Sequence, residues 1–386
     1  MNKIIPYSRQ FIDKNDISSV IKILKSDMLT QGDGVLLFEK EISKYTGAKY
    51  ASSFNSATSA LHAACHALDV KKGDIVWTSP ISFVASANCA LYCGGTIDFV
   101  DINIDTYNIS VSSLKKKLSE AKKINKLPKV LICVHLSGQS CEMEDIFKLS
   151  KIYNFKIIED ASHALGGLYK NKKIGNCKYS DVCIFSFHPV KMITTGEGGM
   201  AVTNKKNLHE KLKIFNSHGI DTSKRYINKS MKFFNQMVDL GFNYRLSDIH
   251  AALGMSQMKK INKFLKRRFE IKKYYNKEFG KLDLPIIIPH DHPDTISSNH
   301  LYIIRIKKNS KITRNQILER LRKRNIFVNV HYVPIYRHFF YQRMKIKNSD
   351  FPNSEIYGSQ AISIPNFYGL KNGEIDEIIY KIKNLF

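Results

Sequence analysis

The sequence predicts an α/β fold in which a large N-terminal domain is built on a mostly parallel sheet. Between residues 50 and 160, short apolar runs alternate with segments of helical periodicity, the pattern of strand–helix–strand units. The connections are long enough to be crossover helices that cover both faces of a parallel sheet. A second, shorter alternation follows a connection containing Pro285, Pro289 and Pro293, and it predicts a smaller C-terminal α/β domain.

This pattern divides the chain into three parts: a large domain over residues 1–245, a bridging helix and connection over 246–294, and a small domain over 295–386. In the large domain, helices are predicted at 16–25, 35–45, after residue 59 (an alanine-rich helix), and at 82–92, 111–122, 142–153 and 208–216. Strands are predicted between them at 50–54, 75–78, 96–100, 130–135 and 156–160. An exposed hairpin is predicted at 167–180.

The second half of the chain is predicted from the same signals. An irregular polar segment at 217–243 precedes one long helix from residue 247 to residue 279, because apolar residues recur there at helical spacing. Thr313 and Gln316 have the spacing of a capping box that opens a helix ending at residue 324. Strands at 301–306 and 326–330, an aromatic and basic loop at 331–336 and a helix at 374–385 complete the small domain.

Composition sets the broad class. The chain has 386 residues and 43% hydrophobic residues, enough for a large core. It lacks an apolar run of about 18 residues, so no membrane helix is expected. The first residues contain no apolar signal core, so no secretory signal is expected. The seven cysteines are scattered, which favours free thiols in a reducing cytoplasm. Cys89 and Cys93 lie four positions apart, but no second pair completes a zinc site, and no metal is expected.

The formal net charge is +26. Such a charge is compatible with nucleic-acid binding, but the lysines are spread along the chain and no nucleic-acid-binding motif is present. We therefore interpret the charge as a solvated basic surface that attracts polyanionic small substrates, and expect neither a nucleic-acid nor a membrane partner. A non-catalytic, basic nucleic-acid-binding protein is the remote alternative.

Lys191 is the first candidate functional residue. It lies between an apolar run at 182–187, which ends near Ser186, and a second apolar run at 200–202 that follows the turn Gly196–Gly199. Burial of a lysine lowers its pKa and makes the amine a nucleophile suited to Schiff-base chemistry. The alternative from this stretch alone is a surface lysine in a loop.

Asp160 favours the functional interpretation. It is expected at the carboxyl end of the strand at 156–160, where ligands bind in open α/β sheets. A lysine that forms an imine and an aspartate that keeps a pyridine nitrogen protonated are the minimum that a protein contributes to the chemistry of pyridoxal 5′-phosphate (PLP). The two residues together therefore predict a PLP site.

Three further stretches have both a structural and a functional interpretation. Ser56 and its neighbours at a helix start are ordinary N-caps, but a helix start with hydroxyl groups also binds phosphate. Phe83 is either a core residue or a ring that stacks on a flat cofactor. Thr30 and Gln31 lie either in a plain helix connector or against a polar ligand.

With these motifs in place, the chain resembles the DegT/DnrJ/StrS family of sugar aminotransferases, which are fold-type I PLP enzymes. The resemblance covers nearly the whole chain, through the stretches IPYSRQ, LTQG, NSATSALHAA, EDASHALG, SFHPVK, GEGGMAV and GFNYRLSDIHAALG. Some relatives with this fold carry histidine in place of the lysine and act as sugar dehydratases. Because Lys191 is present here, transamination is favoured over dehydration.

The resemblance implies a role for each matching residue. Lys191 would bind PLP through an imine, Asp160 would pair with the pyridine nitrogen, and His163 would approach the ring hydroxyl, where relatives often carry glutamine. Phe83 would stack on the ring, and Ser56, Ala57 and Ser186 would hold the phosphate. Asn243 would reach the phosphate of the neighbouring subunit's cofactor, so that a homodimer completes the active site.

Within the family, the start of the chain, the SFHPVK…TTGEGG stretch and the HYVPIY loop look most like the 4-aminotransferases of the pseudaminic acid pathway. This implies transfer of an amino group from L-glutamate to C4 of a UDP-4-keto-6-deoxy-N-acetylhexosamine. Thr30, Gln31, His331 and Tyr332 are the candidate substrate contacts. The alternative is another keto-sugar aminotransferase, acting on a D-configured UDP-linked sugar or on a dTDP- or GDP-linked sugar.

Overall fold

The computed structural model describes residues 4–225 and 235–386. Its helices are α1 (Lys14–Leu24), α2 (Asp33–Thr46), α3 (Ala57–Ala67), α4 (Ala85–Tyr92), α5 (Val111–Lys123), α6 (Met143–Tyr153), α7 (Lys206–Phe215), α8 (Asp248–Met258), α9 (Ile261–Phe279), α10 (Arg314–Lys323), α11 (Phe339–Gln342), α12 (Pro352–Gln360) and α13 (Asn372–Lys383). Its strands are β1 (Tyr50–Phe54), β2 (Ile75–Thr78), β3 (Thr96–Phe99), β4 (Val130–Val134), β5 (Lys156–Asp160), β6 (Leu168–Tyr169), β7 (Lys172–Lys173), β8 (Val182–Ser186), β9 (Gly199–Thr203), β10 (Ile220–Arg225), β11 (Asn235–Met237), β12 (Ile286–Ile287), β13 (Thr295–Ile296), β14 (Tyr302–Ile306) and β15 (Ala361–Ile364).

A seven-stranded sheet of order β1-β9-β8-β5-β4-β2-β3 organises the N-terminal part. Strand β9 runs antiparallel to both of its neighbours, β1 and β8, and the remaining pairs are parallel. The predicted mostly parallel sheet is therefore confirmed. Because β5 and β8 are parallel and Asp160 is paired with Ile184, the ends of both strands, with Asp160 and Ser186, lie at one edge of the sheet.

Both faces of this sheet are buried. Ile157 and Ile158 are neighbours on β5, yet they pack in two different apolar clusters, one with Leu131 and one with Ile184. Successive side chains of a strand point to opposite faces, so these clusters lie on the two sides of the sheet. Helices on both sides explain why the strands are continuous apolar runs.

A smaller antiparallel sheet of order β12-β14-β15 forms the second α/β unit. Ile304 on β14 and Ile362 on β15 are fully buried in a cluster that also contains Ile378 of α13 and Tyr275 of α9. Ile5, from the start of the chain, packs in the same cluster. The smaller C-terminal α/β unit is thus confirmed, while the boundaries at residues 245 and 294 remain predictions.

The predicted single helix at 247–279 is wrong, because α8 and α9 are separate helices. The break falls at Lys260, whose φ of −108° and ψ of −1° depart from the usual α-helical values. The Lys260 ammonium group lies 3.0 Å from Asp13 and 2.5 Å from the fully buried Asp16. Lysine is a good helix former, and the apolar periodicity continues past residue 260. The sequence around Lys260 therefore does not indicate the break, which is associated with two carboxylates far away in the chain.

Other predicted elements need correction in the same way. Residues 326–330 do not form a strand; Ile326 and Asn329 make only isolated bridges, to Ile5 and to Ser363. Ile326 and Val328 are apolar because they are buried in the core, not because the segment pairs as a strand. The segment at 217–243, predicted to be irregular, contains the paired strands β10 and β11, although its residues 226–234 lie outside the described residues. The helix predicted at 82–92 begins at Ala85, and α12 and β15 were not predicted.

Gly199 is required where β9 starts beside the N-terminus of α3. A Cβ at this position would lie 2.5 Å from the backbone nitrogen of Ala57 and 2.5 Å from the carbonyl of Ser56. We expect Gly199→Ala to lower the free energy of unfolding by about 1–3 kcal/mol, because backbone atoms have to move apart. Urea titration of the apoenzyme measures this effect. Gly373→Ala is the matched control, since a Cβ there meets nothing within 4 Å; equal stabilities of the two variants would contradict the prediction.

Candidate active site

A cavity of about 1010 Å³ opens at the sheet edge where β5 and β8 end. Nearly all of the predicted PLP-site residues line it, together with two of the predicted substrate contacts: Ser56, Ala57, Phe83, Asp160, His163, Ser186, Lys191, His331 and Tyr332. They come from β5, β8, the start of α3, the segment before α4 and the small-domain loop after residue 330. The fold thus brings together residues that are far apart in the sequence.

Lys191 is partly buried in the loop that follows β8. Burial lowers the pKa of Lys191 to about 8, and the nearby carboxylate of Asp160 offsets part of that effect. The backbone of the loop is fixed, because the Lys191 N–H donates to the carbonyl of His188 at 2.9 Å and the Ser8 hydroxyl donates to the carbonyl of Val190 at 3.2 Å. Within the described residues, the Lys191 amine has neither a hydrogen bond nor an ion pair, so it is available to a ligand.

Asp160 is buried at the end of β5 and held by serines. Its Oδ2 accepts a hydrogen bond of 2.6 Å from the Ser86 hydroxyl. Its Oδ1 accepts from both the backbone N–H and the hydroxyl of Ser162, at 3.1 and 2.6 Å. These hydrogen bonds fix the direction of the carboxylate. Ser86 and Ser162 were not predicted, because a hydroxyl on a helix or a turn carries no sequence signal of its partner.

The N-terminus of α3 forms another part of the wall. Ser56 is the N-cap, and its hydroxyl accepts from the Ser59 N–H at 3.1 Å. The backbone N–H groups of Ala57 and Thr58 have no partner in the part of the chain that the structure describes. Free N–H groups at a helix start bind phosphate, and the side chain of Ser186 at the end of β8 faces the same cavity.

Aromatic and imidazole rings complete the cavity. Phe83 is 57% exposed, and its ring centroid lies 6.2 Å from that of Tyr332, so its face is accessible to a flat ligand. His163 lies 4.4 Å from His300, ring to ring. Burial lowers the pKa of both histidines well below the ordinary value, and it lowers the pKa of His331 to about 3. His300 was not predicted, because only the tertiary structure places it here.

Three predicted residues lie outside the cavity of their own chain. Thr30 and Gln31 are exposed, because their turn is held on the start of α8, where Asp248 accepts from the Gly32 N–H at 2.8 Å. Their predicted substrate contacts are therefore not made within one chain. Asn243 is also exposed, and its carbonyl lies 3.5 Å from the side-chain amide of Asn55, a residue of the cavity wall.

These residues fit PLP. An amine with a lowered pKa and without a partner fits the aldehyde, a fixed carboxylate fits the pyridine nitrogen, and a helix start with free N–H groups fits the phosphate. Phe83 offers a ring face for the planar part. Fold and site together define a PLP-dependent enzyme of fold type I.

The chain belongs to the DegT/DnrJ/EryC1/StrS aminotransferase family, which it matches over residues 10–383. It is therefore a PLP-dependent aminotransferase, as the sequence predicted. It is 42% identical over 352 residues to a Campylobacter jejuni protein named UDP-4-amino-4,6-dideoxy-N-acetyl-beta-L-altrosamine transaminase, with 90% of this chain and 89% of the relative covered.

Solved structures agree with this assignment. Helicobacter pylori PseC, an aminotransferase involved in the biosynthesis of pseudoaminic acid, is 36% identical and superposes with a TM-score of 0.91, covering 100% of this chain and 99% of the other. A Streptococcus pneumoniae protein solved in a PLP form is 28% identical with a TM-score of 0.88, covering 99% and 98%. Among the helices that the structure describes, none is both long and apolar enough to cross a bilayer.

Proposed function

We propose that this enzyme transfers the amino group of L-glutamate to C4 of a UDP-4-keto-6-deoxy-N-acetylhexosamine, giving UDP-4-amino-4,6-dideoxy-N-acetyl-β-L-altrosamine for pseudaminic acid biosynthesis. The observation that carries the chemistry is the Lys191 amine, which has no partner among the described residues, has a pKa near 8 and lines one cavity with Asp160. The name of the C. jejuni relative supports the choice of substrate and product.

Each residue of the site has a distinct task in this reaction. PLP, when bound, supplies an aldehyde that takes up the amino group and a ring that stabilises negative charge. Lys191 anchors the cofactor, and its amine then takes the proton from Cα of the donor and delivers a proton to C4 of the sugar in the reverse half of the reaction. Asp160 holds a proton on the ring nitrogen, and Ser56, Ala57 and Ser186 bind the phosphate.

The size and charge of the site suit a nucleotide sugar. At about 1010 Å³, the cavity lies at the upper end of the range of about 300–1,000 Å³ that is usual for ligand pockets, which leaves room for a second molecule beside the cofactor. The net charge of +26 attracts a diphosphate. His331 and Tyr332 line the cavity and supply polar contacts for the sugar.

A comparison of acceptors tests the proposal. The enzyme, PLP and L-glutamate are incubated in turn with UDP-4-keto-6-deoxy-N-acetylhexosamines of the L and D series and with dTDP- and GDP-linked 4-keto sugars. Product formation is followed by mass spectrometry, and the configuration at C4 is determined by NMR. We expect the UDP-linked sugar of the L series to give the highest kcat/KM. A higher kcat/KM with another acceptor would refute the assignment of the substrate but not of the transaminase.

We also propose that a second copy of the chain completes the site through Asn243. Helices α1 and α2 carry large apolar side chains that are about half exposed: Ile17, Ile21, Leu24, Leu36 and Leu37. An exposed apolar surface of this kind is typical of a subunit interface. Asn243 is exposed and outside the cavity of its own chain, so we propose that it reaches the cofactor phosphate of the neighbouring subunit instead.

Mixing two inactive variants tests the shared site. At limiting PLP we expect Lys191→Ala and Asn243→Ala to be inactive as separate dimers. After unfolding and refolding together, mixed dimers contain one site with both residues, so roughly a quarter of the wild-type activity is expected from random pairing. Each variant refolded alone is the control. Mixed dimers without recovered activity, or a monomeric protein in sedimentation, would contradict the proposal.

A further inference from the structure

His163 is engaged through both of its ring nitrogens. The backbone N–H of Ser137 donates to Nδ1 at 3.3 Å, and Nε2 lies 3.2 Å from the hydroxyl of Tyr332. Burial keeps this ring neutral by lowering its pKa well below the ordinary value. A neutral imidazole carries one proton, and because Nδ1 accepts a hydrogen bond, that proton is on Nε2. His163 therefore donates its hydrogen bond to the oxygen of Tyr332.

This arrangement fixes the direction of the Tyr332 proton. The phenol oxygen accepts from His163, so its own O–H is free to donate, and within the described residues it has no other hydrogen-bond partner. Burial, together with the charge of Asp160, raises the pKa of Tyr332, so the phenol stays protonated. Tyr332 lines the cavity, so its hydroxyl can donate a hydrogen bond to an acceptor on a bound ligand.

The parts that orient Tyr332 are themselves held in place. The carbonyl of His163 accepts from the Ser298 hydroxyl at 2.6 Å. Ser137 has a left-handed φ of 60°, and its carbonyl accepts from the backbone N–H of His300 at 2.9 Å. The ring of His300 packs against that of His163. A donor that is fixed before the ligand binds costs no reorganisation during the reaction.

The chemistry of this donor selects its acceptor. Tyr332 is a single neutral donor, and the ring behind it is neutral too, so the pair supplies no charge that would balance an anion. A neutral donor suits an uncharged carbonyl oxygen. Tyr332 is also near the reacting centre, since it lines the same cavity as Lys191 and Asp160 and its ring lies 6.2 Å from that of Phe83.

We propose that the Tyr332 hydroxyl donates a hydrogen bond to the keto oxygen at C4 of the sugar, and that His163 is a positioning residue that directs the Tyr332 proton to this oxygen. The hydrogen bond polarises the C4 carbonyl and makes its carbon a better electrophile. The inference rests on the proposed function, because it needs a keto-sugar acceptor. It assigns His163 a different task from the contact with the cofactor's ring hydroxyl that the family resemblance implies.

The two half-reactions separate these roles. In the first, L-glutamate alone bleaches the visible absorption of the lysine-bound cofactor; in the second, UDP-4-keto-6-deoxy-N-acetylhexosamine restores that absorption to the aminated enzyme. We expect Tyr332→Phe to slow the second half-reaction by about 10²-fold, the usual loss for one donor aimed at a reacting oxygen, and to leave the first little changed. Tyr336→Phe is the matched control, because it removes a hydroxyl of the same loop that is bonded to Glu355 outside the cavity.

Variants of His163 test the positioning role. His163→Leu is expected to slow the second half-reaction by about tenfold, with partial rescue by His163→Gln, whose amide retains a donor for Tyr332. If His163 acts through Tyr332, His163→Leu has little further effect in the Tyr332→Phe background. Additive losses, or a slowed first half-reaction with a shifted cofactor absorption maximum in His163→Leu, would instead indicate direct contact with the cofactor and overturn the inference.

The wild-type enzyme distinguishes the two ways of failing. If L-glutamate bleaches the wild-type cofactor but the UDP-linked keto sugar does not restore it, the proposed substrate is wrong. If the wild-type enzyme completes both half-reactions and Tyr332→Phe completes the second one equally fast, the proposed substrate stands and the role of Tyr332 is refuted.

Discussion

Lys191→Ala is expected to abolish turnover, with a loss of about 10⁴-fold or more, because the same amine anchors the cofactor and moves the proton. No second amine is placed to replace it: among the described residues that line the cavity, Lys191 is the one lysine. Steady-state assays with L-glutamate and the keto sugar measure the loss, and the absorption spectrum tests for the lysine-bound cofactor. Substantial remaining turnover would remove Lys191 from its role.

Two controls separate this effect from misfolding. Lys173→Ala removes another lysine whose pKa burial lowers, but one that bonds to Tyr45 rather than lining the cavity, so its activity should persist. The pKa of Lys191 is lower in the folded state, near 8, so burial of the protonated amine disfavours folding of the apoenzyme below that pH. Apo Lys191→Ala should therefore unfold at pH 7 at a temperature no lower than the wild-type apoenzyme.

Asp160→Asn is expected to lower kcat by about 10²–10³-fold while some cofactor remains bound, a loss typical of a removed electrostatic contact at the reacting group. The neutral amide no longer holds a proton on the ring nitrogen. Its oxygen still accepts at one position, but its NH₂ group cannot accept the bond that the other carboxylate oxygen receives, from Ser86 or from Ser162. Single-turnover bleaching by L-glutamate isolates this step. A near-normal rate in this variant would rule out the assigned role.

Asp181→Asn provides the matched control for a buried carboxylate in the same sheet. Asp181 accepts from the backbone N–H of Ile157 at 2.8 Å and pairs with Lys205, next to the start of β8 and so at the edge opposite the cavity. Its replacement should lower stability rather than the rate of bleaching. A drop in bleaching rate as large as that of Asp160→Asn would mean that any buried carboxylate of this sheet has the same effect.

Sequence reasoning succeeded where a feature is local. The strands at 50–54, 75–78 and 156–160 were predicted with the observed bounds, because polar residues or turns in the sequence itself mark where each short segment ends. The capping box of Thr313 and Gln316 is present at α10, since its partners are three residues apart. Asp160 and Lys191 follow from the same logic, as each comes at or after the end of a strand.

Predictions failed where a structure depends on distant residues. The break before α9 accompanies contacts of Lys260 with Asp13 and Asp16, and the run at 326–330 makes only isolated bridges, to Ile5 and to Ser363. Periodicity within a helix or a turn contains no information about such partners. The same reason hid Ser86, which bonds to Asp160, and His300, which lines the cavity.

The sequence by itself determined the α/β class, the PLP chemistry of Lys191 and Asp160, and the aminotransferase family, because strand patterns and family motifs are continuous in the chain. Only the tertiary structure decided how these groups act together. It fixed Asp160 with two serines, left the Lys191 amine without a partner among the residues that the structure describes, and joined Ser137, His163 and Tyr332 from the two domains into one hydrogen-bonded series. The direction in which the Tyr332 hydroxyl donates depends on which atoms lie within hydrogen-bond distance of it. His163 and Tyr332 come within that distance only when the two domains pack together.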